Sequence, residues 1–358
     1  MKLRSLAFAP LLAAAALSLD CGGETVDLGG PVAPGSGDAD DDDPGFPLAT
    51  TASKVDVLIA VDDSRGMKDK SELLARSLRP LLERVTATGD VHLGVITSSL
   101  GTMGGDACRD ESPQNRRAHL QTTGPLGEVV TPSGVLVAGP SLDGEAFIAQ
   151  AEALVRGVRE QGCGLEAQLE SIYRFLVQPD PWDRVTVDAF NQATLGEGVD
   201  IDLLRQRADF LRPDSLLIVV LITDEDDSSA DPRSSGGQGW GFASRKFPGS
   251  RITRPDQTTT APRGTGACIV DPGSPDCTSC AFGEVCDPST PTCQQIRNDP
   301  TCQTSGGYYA ANEDSLDVRF HRMKERYGVD PQFPLERYVS GLSRAKVPDR
   351  RAEHVETM

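Results

Sequence analysis

Two short runs constrain the fold more than anything else in the chain. "KVDVLIAVDDSRGMKDK", 54–70, and "DSLLIVVLITDEDD", 214–227, each set a near-continuous apolar stretch against an abrupt group of acids. A strand that is apolar on both sides, without alternation, belongs inside a mostly parallel sheet covered by helices on both faces. The acids that end each run must then lie at the sheet edge, since unpaired charge inside a core is costly. Ligands of open α/β sheets bind in the crevice outside the carboxyl ends of the strands, so two acid-ended strands point to one site.

The stretches between them fit the same architecture. After the first run, Leu73, Leu74, Leu78, Leu81, Leu82 and Val85 recur at helical spacing, with Pro80 inside that helix expected to kink it. "VHLGVITSSLG", 91–101, reads as a second strand, and "GVLVAG" as a weak one within the long loop that follows. Two helical patterns come next, one through Phe147, Ile148, Ala151, Leu154, Val155 and Val158, the other through Leu165, Leu169, Ile172 and Leu176, joined by the tight turn "QGCG". The expected fold is α/β: a doubly wound, mostly parallel sheet flanked by helices, with its core over 54–227 and a helical C-terminal part over 312–358. "SLDVRFHRMKERYG" and "LERYVSGLSRA" supply the helices of that last part.

Between these two parts, over 228–311, hydrophobic periodicity stops and six cysteines appear: Cys268, Cys277, Cys280, Cys286, Cys293 and Cys302. This is the pattern of an irregular insertion stapled by disulfides, with fifteen connectivities open. Cys277-x-x-Cys280 is also half of a zinc motif, but no matched second pair accompanies it.

The N-terminus explains why disulfides are expected. Lys2 and Arg4 precede an apolar run from Leu6 to Leu19, then Cys21-Gly22-Gly23, so 1–21 reads as an export signal. Residues 22–53 are Gly, Pro, Ser and Asp around "GDADDDDPG", too polar to offset the entropy of ordering, and should form a tether. Its aspartates lack the glycine and glutamate spacing of a calcium loop. The net charge of −18, from 35 Lys plus Arg against 53 Asp plus Glu, disfavours nucleic acid and attracts cations. No later run approaches a membrane span.

At the acid-ended edge, Asp62-x-Ser64 and Asp224 offer hard oxygen ligands suited to Mg²⁺, Mn²⁺ or Ca²⁺ rather than zinc, with Asp63 and Glu225 adding charge. Taken singly, Asp62 and Ser64 also suit a helix cap or turn, and Asp224 a strand terminus. "DVLIAVDDSRGM", "GVITSSLG" and "VVLITDEDD" together resemble a von Willebrand factor type A domain, of the lipoprotein kind found in delta-proteobacteria such as myxobacteria. That family carries a metal-ion-dependent adhesion site built on Asp-x-Ser-x-Ser, a threonine from a later loop and an aspartate after a late strand. The resemblance places Asp62, Ser64 and Asp224 as metal ligands, Gly66 where the second serine stands, and Cys163 where "GCGLEAQL" aligns with the loop threonine. It implies a divalent cation that keeps a position open for a carboxylate of a partner protein, and further chain after "VPDR".

The start of the chain resembles a bacterial lipobox, which implies a lipid on Cys21 as the protein's contact with the outer membrane or the periplasmic face of the envelope, although Asp20 departs from the small residue usual before the cysteine. Cleavage near the alanine run 13–16 is the alternative, leaving Cys21 a thiol. With Cys21 lipidated, eight cysteines remain, and a Cys108–Cys163 bridge would leave none of them unpaired. A Cys163 nucleophile lacks a histidine in a recognisable catalytic setting among His92, His119, His321 and His354, and a two-metal hydrolase lacks a histidine ligand set. The expected function is therefore cation-dependent protein binding at the cell envelope rather than enzymatic catalysis, with a metal-independent structural role as the alternative.

Overall fold

In a computed structural model of the chain, the residues described are 13–16, 53–87, 89–100, 114–139, 142–162, 166–187, 193–229, 231, 260–310, 312–315, 318–327, 330 and 332–343. Cys21, the 22–52 part of the tether, Cys108 and Cys163 lie outside them, and so does the expected Cys108–Cys163 bridge.

The strands are β1 (Ala13–Ala16), β2 (Val55–Val61), β3 (Val91–Thr97), β4 (Leu136–Ala138), β5 (Arg184–Val187), β6 (Ala193–Glu197) and β7 (Leu216–Ile222). The main sheet runs β1-β7-β2-β3-β4, with β2 parallel to both β3 and β7, and β4 antiparallel to β3. The sheet is thus mixed, and the weak strand "GVLVAG" contributes its antiparallel edge. Ala13–Ala16, within the expected export signal, lies parallel to β7. A separate hairpin pairs β5 with β6. Among the described residues no named strand follows β7.

Helices cover both faces, and the alternation of β2 sets what they cover. Val55, Val57, Ile59 and Val61 face α1 (Lys68–Ser77), α2 (Arg79–Thr86) and α3 (Gly144–Val158), in a core with Leu74, Leu82, Phe147 and Leu154. Leu58 and Ala60 face the other way, into a core with Ile172 and Phe175 of α4 (Gln168–Leu176), Leu203 and Phe210 of α5 (Ile201–Phe210), and Tyr338. The helix expected to kink at Pro80 does so: α1 ends at Ser77, and Pro80 stands in the first turn of α2, where a missing N–H costs nothing.

The hairpin β5–β6 and the helix α5 were not foreseen from the sequence. Asp200 caps α5, its side chain accepting from Leu203 N. At the opposite end of the sheet from the acids, the fully buried Asp56 accepts from the backbone and side chain of Arg212, at 2.9 and 2.8 Å, and so fastens the start of β2 to the loop before β7.

The insertion holds α6 (Gly266–Val270), α7 (Phe282–Val285), α8 (Pro291–Asn298) and α9 (Pro300–Gln303). Its six cysteines pair locally as Cys268–Cys277, Cys280–Cys302 and Cys286–Cys293, so Cys277 and Cys280 are each committed to a different bridge. Two small apolar clusters accompany the bridges, one of Ala281, Phe282, Ile296 and Tyr308, the other of Ala261 and Cys268 with Phe320 and Met323 of α10 (Arg319–Tyr327). The two expected C-terminal helices are present as α10 and α11 (Leu335–Leu342). The second packs on α4: Arg337 pairs with the buried Glu170 at 2.7 Å and lies 3.9 Å from the Tyr173 ring centre, while a Cβ on Gly341 would come within 2.7 Å of that ring. No helix among the described residues is long and apolar enough to cross a membrane.

Candidate functional site

The carboxyl end of β2 is the point where the sheet changes direction, with β3 on one side and β7 on the other. Backbone pairing continues past the strands there: Asp62 N donates to Ile222 O at 2.9 Å and Ser98 N to Val61 O at 3.2 Å. Asp62, Asp63, Ser64, Ser98 and Ser99 are all buried as a result.

Asp62 is held on both oxygens. Its Oδ1 accepts from Ser64 N at 2.7 Å, closing an Asx turn, and its Oδ2 accepts from Thr223 Oγ1 at 2.6 Å. Asp63 points to the other neighbour, its Oδ1 accepting from Ser99 Oγ at 2.7 Å and Ser98 Oγ at 3.2 Å. The turn after α3 closes over it: Gly162 N donates to Asp63 O at 2.8 Å, and a Cβ on Gly162 would lie 2.7 Å from both Asp63 O and Oδ1. Only glycine permits that approach without displacing the acid.

Opposite these acids stands Glu166, at the entry to α4 and fully buried. Its backbone is bridged to Ser99, the following Ala167 N donates to Ser98 O at 2.8 Å, and Ser228 N donates to Glu166 O at 2.5 Å. Its Oε2 meets Ser98 Oγ in a very short hydrogen bond. One hydroxyl proton cannot serve both Asp63 Oδ1 and Glu166 Oε2. Both bonds form together only when one of the acids carries a proton. Burial, reinforced by the charges of Asp62 and Asp63, pushes the Glu166 carboxyl up to about 9. Burial also raises Asp63 to about 6, with the Ser99 hydrogen bond opposing and the Asp62 charge adding to the rise. At neutral pH Glu166 is therefore the protonated partner.

The loop after β7 is stapled to α4. Gln168 Nε2 donates to Thr223 Oγ1 at 2.7 Å and Glu225 O at 3.2 Å, and Asp227 Oδ2 accepts from Leu169 N at 3.0 Å as a cap on the helix. Asp224, expected to join Asp62, instead pairs with Lys70, whose ammonium also reaches Gly66 O. Glu225 contributes its backbone to the staple, its N–H donating to Thr223 Oγ1 at 3.1 Å. Gly66 has φ +114°, a conformation serine rarely adopts, and its N–H donates to Glu160 Oε1 at 2.8 Å. A serine at position 66 would therefore be strained by the backbone.

Four buried oxygens at this edge have no hydrogen-bond partner among the described residues: Asp63 Oδ2, Ser64 Oγ, Glu166 Oε1 and Gln168 Oε1. The ion pairs found among the described residues involve none of Asp62, Asp63 and Glu166. Buried carboxylates are ordinarily paired, protonated or metal-bound, and this donor set is wholly hard oxygen. Its chemistry fits a divalent cation of the magnesium, manganese or calcium kind. No three His, Cys, Asp or Glu side chains among the described residues already converge on a common point, so binding would require their rotation.

Asp62, Asp63 and Ser64, singled out from the sequence, are consecutive; the structure turns the Asp62 side chain to Thr223 and the Asp63 side chain to Ser98 and Ser99, and does not bring Asp224 to them. Glu166, Thr223, Ser98, Ser99 and Gln168 were not singled out. Thr223 and the Ser98–Ser99 pair each follow a strand directly, a position that could have marked them, whereas nothing local distinguishes Glu166. Comparison with protein-family models, curated proteins and solved structures found no match for this chain.

Proposed function

We propose that the chain is an exported, lipid-anchored module of the von Willebrand type A kind that binds a protein partner through a divalent cation. The doubly wound arrangement of that family would account for helices on both faces of the sheet and for acids at the carboxyl end of β2. The observation that carries the proposal is the set of buried, unpartnered oxygens on Asp63, Ser64 and Glu166 beside the fixed carboxylate of Asp62. Asp62 and Ser64 would hold the ion with water, and a carboxylate from the partner would complete its sphere. The lipid on Cys21 and the tether over 22–53 would hold the module at the outer membrane or the periplasmic face of the envelope.

The Lys70–Asp224 pair favours a second reading, in which an ammonium neutralises this edge and the module serves the envelope without metal. A hydrolase is disfavoured by the lack of histidines in the site. Calorimetric titration with Mg²⁺, Mn²⁺ and Ca²⁺, on the native sequence and on Asp62→Ala, separates the readings. Heat that saturates in the first and vanishes in the second supports cation-dependent binding. No metal-dependent heat in the native protein leaves the metal-independent role.

A further inference from the structure

We infer that Glu166 is a direct ligand of the cation, supplied by the chain itself where the adhesion motif lacks its second serine and later threonine. The inference rests on the cation-dependent reading above and gives Glu166, which carries one of the unpartnered oxygens there, the role of a ligand.

Glu166 shares the Ser98 hydroxyl with Asp63, which sets its carboxyl beside the buried acids that follow β2. Its second oxygen, Oε1, is buried without a hydrogen-bond partner, as are Asp63 Oδ2 and Ser64 Oγ. Backbone bonds from Ala167 to Ser98 and from Ser228 to Glu166, with the bridge to Ser99, hold the backbone of the residue in place beside the loop after β3. The two positions from which the resemblance would draw ligands are otherwise engaged: Gly66 has no side chain and a backbone that disfavours one, and Asp224 is tied to Lys70.

A carboxylate in place of a hydroxyl changes what the ion can do. Three acids, Asp62, Asp63 and Glu166, around one divalent cation more than neutralise it, weakening its pull on an incoming anion. Such a site favours the ion that accepts many oxygens in loose geometry, calcium over magnesium, with manganese serving as a spectroscopic probe of the same oxygen ligands. Cation binding would then chiefly order the edge, and a partner carboxylate would compete with Glu166 for its place on the ion.

The test measures free Mn²⁺ by electron paramagnetic resonance during titration of the full chain and of Glu166→Gln, Glu166→Asp, Asp224→Asn and Asp62→Ala. Cooperative melting of each variant verifies that it is folded. Glu166→Gln should weaken Mn²⁺ binding by at least about tenfold, Glu166→Asp should fall between it and the native protein, and Asp224→Asn should stay within about threefold. Native affinity in either Glu166 variant, with binding lost in Asp62→Ala, overturns this assignment and leaves the cation reading standing. No Mn²⁺ uptake by the native protein overturns both.

Discussion

Replacing Glu166 by glutamine should stabilise the cation-free protein at alkaline pH. A carboxyl whose folded pKa lies above its unfolded value holds its proton more tightly when folded. The contribution to stability is complete below the unfolded value and is lost as pH rises through the folded one. For Glu166 those limits are 4.5 and about 9, and between them linkage costs about 1.4 kcal/mol per pH unit. At about pH 8 the ceiling is therefore about 5 kcal/mol, and because Glu166 and Asp63 share protons we expect roughly 1–3 kcal/mol. Glutamine keeps the size and a donor for Ser98 but has no proton to surrender. Urea denaturation in chelator at about pH 5 and about pH 8 should show the two proteins close together at the lower pH and the variant ahead at the higher. Equal pH slopes for the two proteins would refute the claim that Glu166 stays protonated in the folded state.

Three other changes probe separate parts of the molecule. Gly66→Ser, which restores the adhesion motif on paper, should lower stability by roughly 1–2 kcal/mol because φ is +114° there, as read from thermal melts in chelator. Cys280→Ser with Cys302→Ser opens the bridge of sequence separation 22 and should cost the insertion about 3 kcal/mol, seen as proteolytic cleavage within 260–310 while far-ultraviolet signal from the sheet persists. Arg337→Ala leaves the fully buried Glu170 without its ion pair and should cost roughly 3 kcal/mol, with faster hydrogen exchange over Leu335–Leu342 than in the native protein.

The sequence signals that proved sound were those in which burial leaves a pattern. β2 is apolar on both sides because both of its faces are buried, β7 adds Val220 to one core and Val219 to the other, and α3 and α4 repeat Leu, Ile and Phe at helical spacing. α5 escaped because only Leu203 and Phe210 of its ten residues are buried, leaving little periodicity, although Asp200 gave a capping signal. The pairing of the insertion cysteines could not be read from spacing, since many connectivities close loops of similar cost. At the site, Asp62 and Ser64 were legible because they follow a buried strand directly. Thr223 and Asp224 are adjacent, and only the three-dimensional course of the loop decides that the threonine meets Asp62 while the aspartate meets Lys70. Glu166 resembles any helix-entry acid until Ser98, 68 residues away in sequence, comes against it.

The placement of β2 also bears on mechanical load. It is the first strand after 22–53, it ends at Val61, directly before Asp62, and it has seven registered residues beside β3 and seven beside β7. A pull on residue 54 against a grip at Asp62 enters and leaves the same extended strand, so the covalent backbone of β2 would carry it and the ladder bonds to β3 and β7 would be little loaded. Arg212, clamped on Asp56 at the pulled end, ties the strand to the loop before β7 without lying on that line of force. A module held at these two points would keep the rest of its sheet out of the load path, because a strand that is already extended has no further length to release.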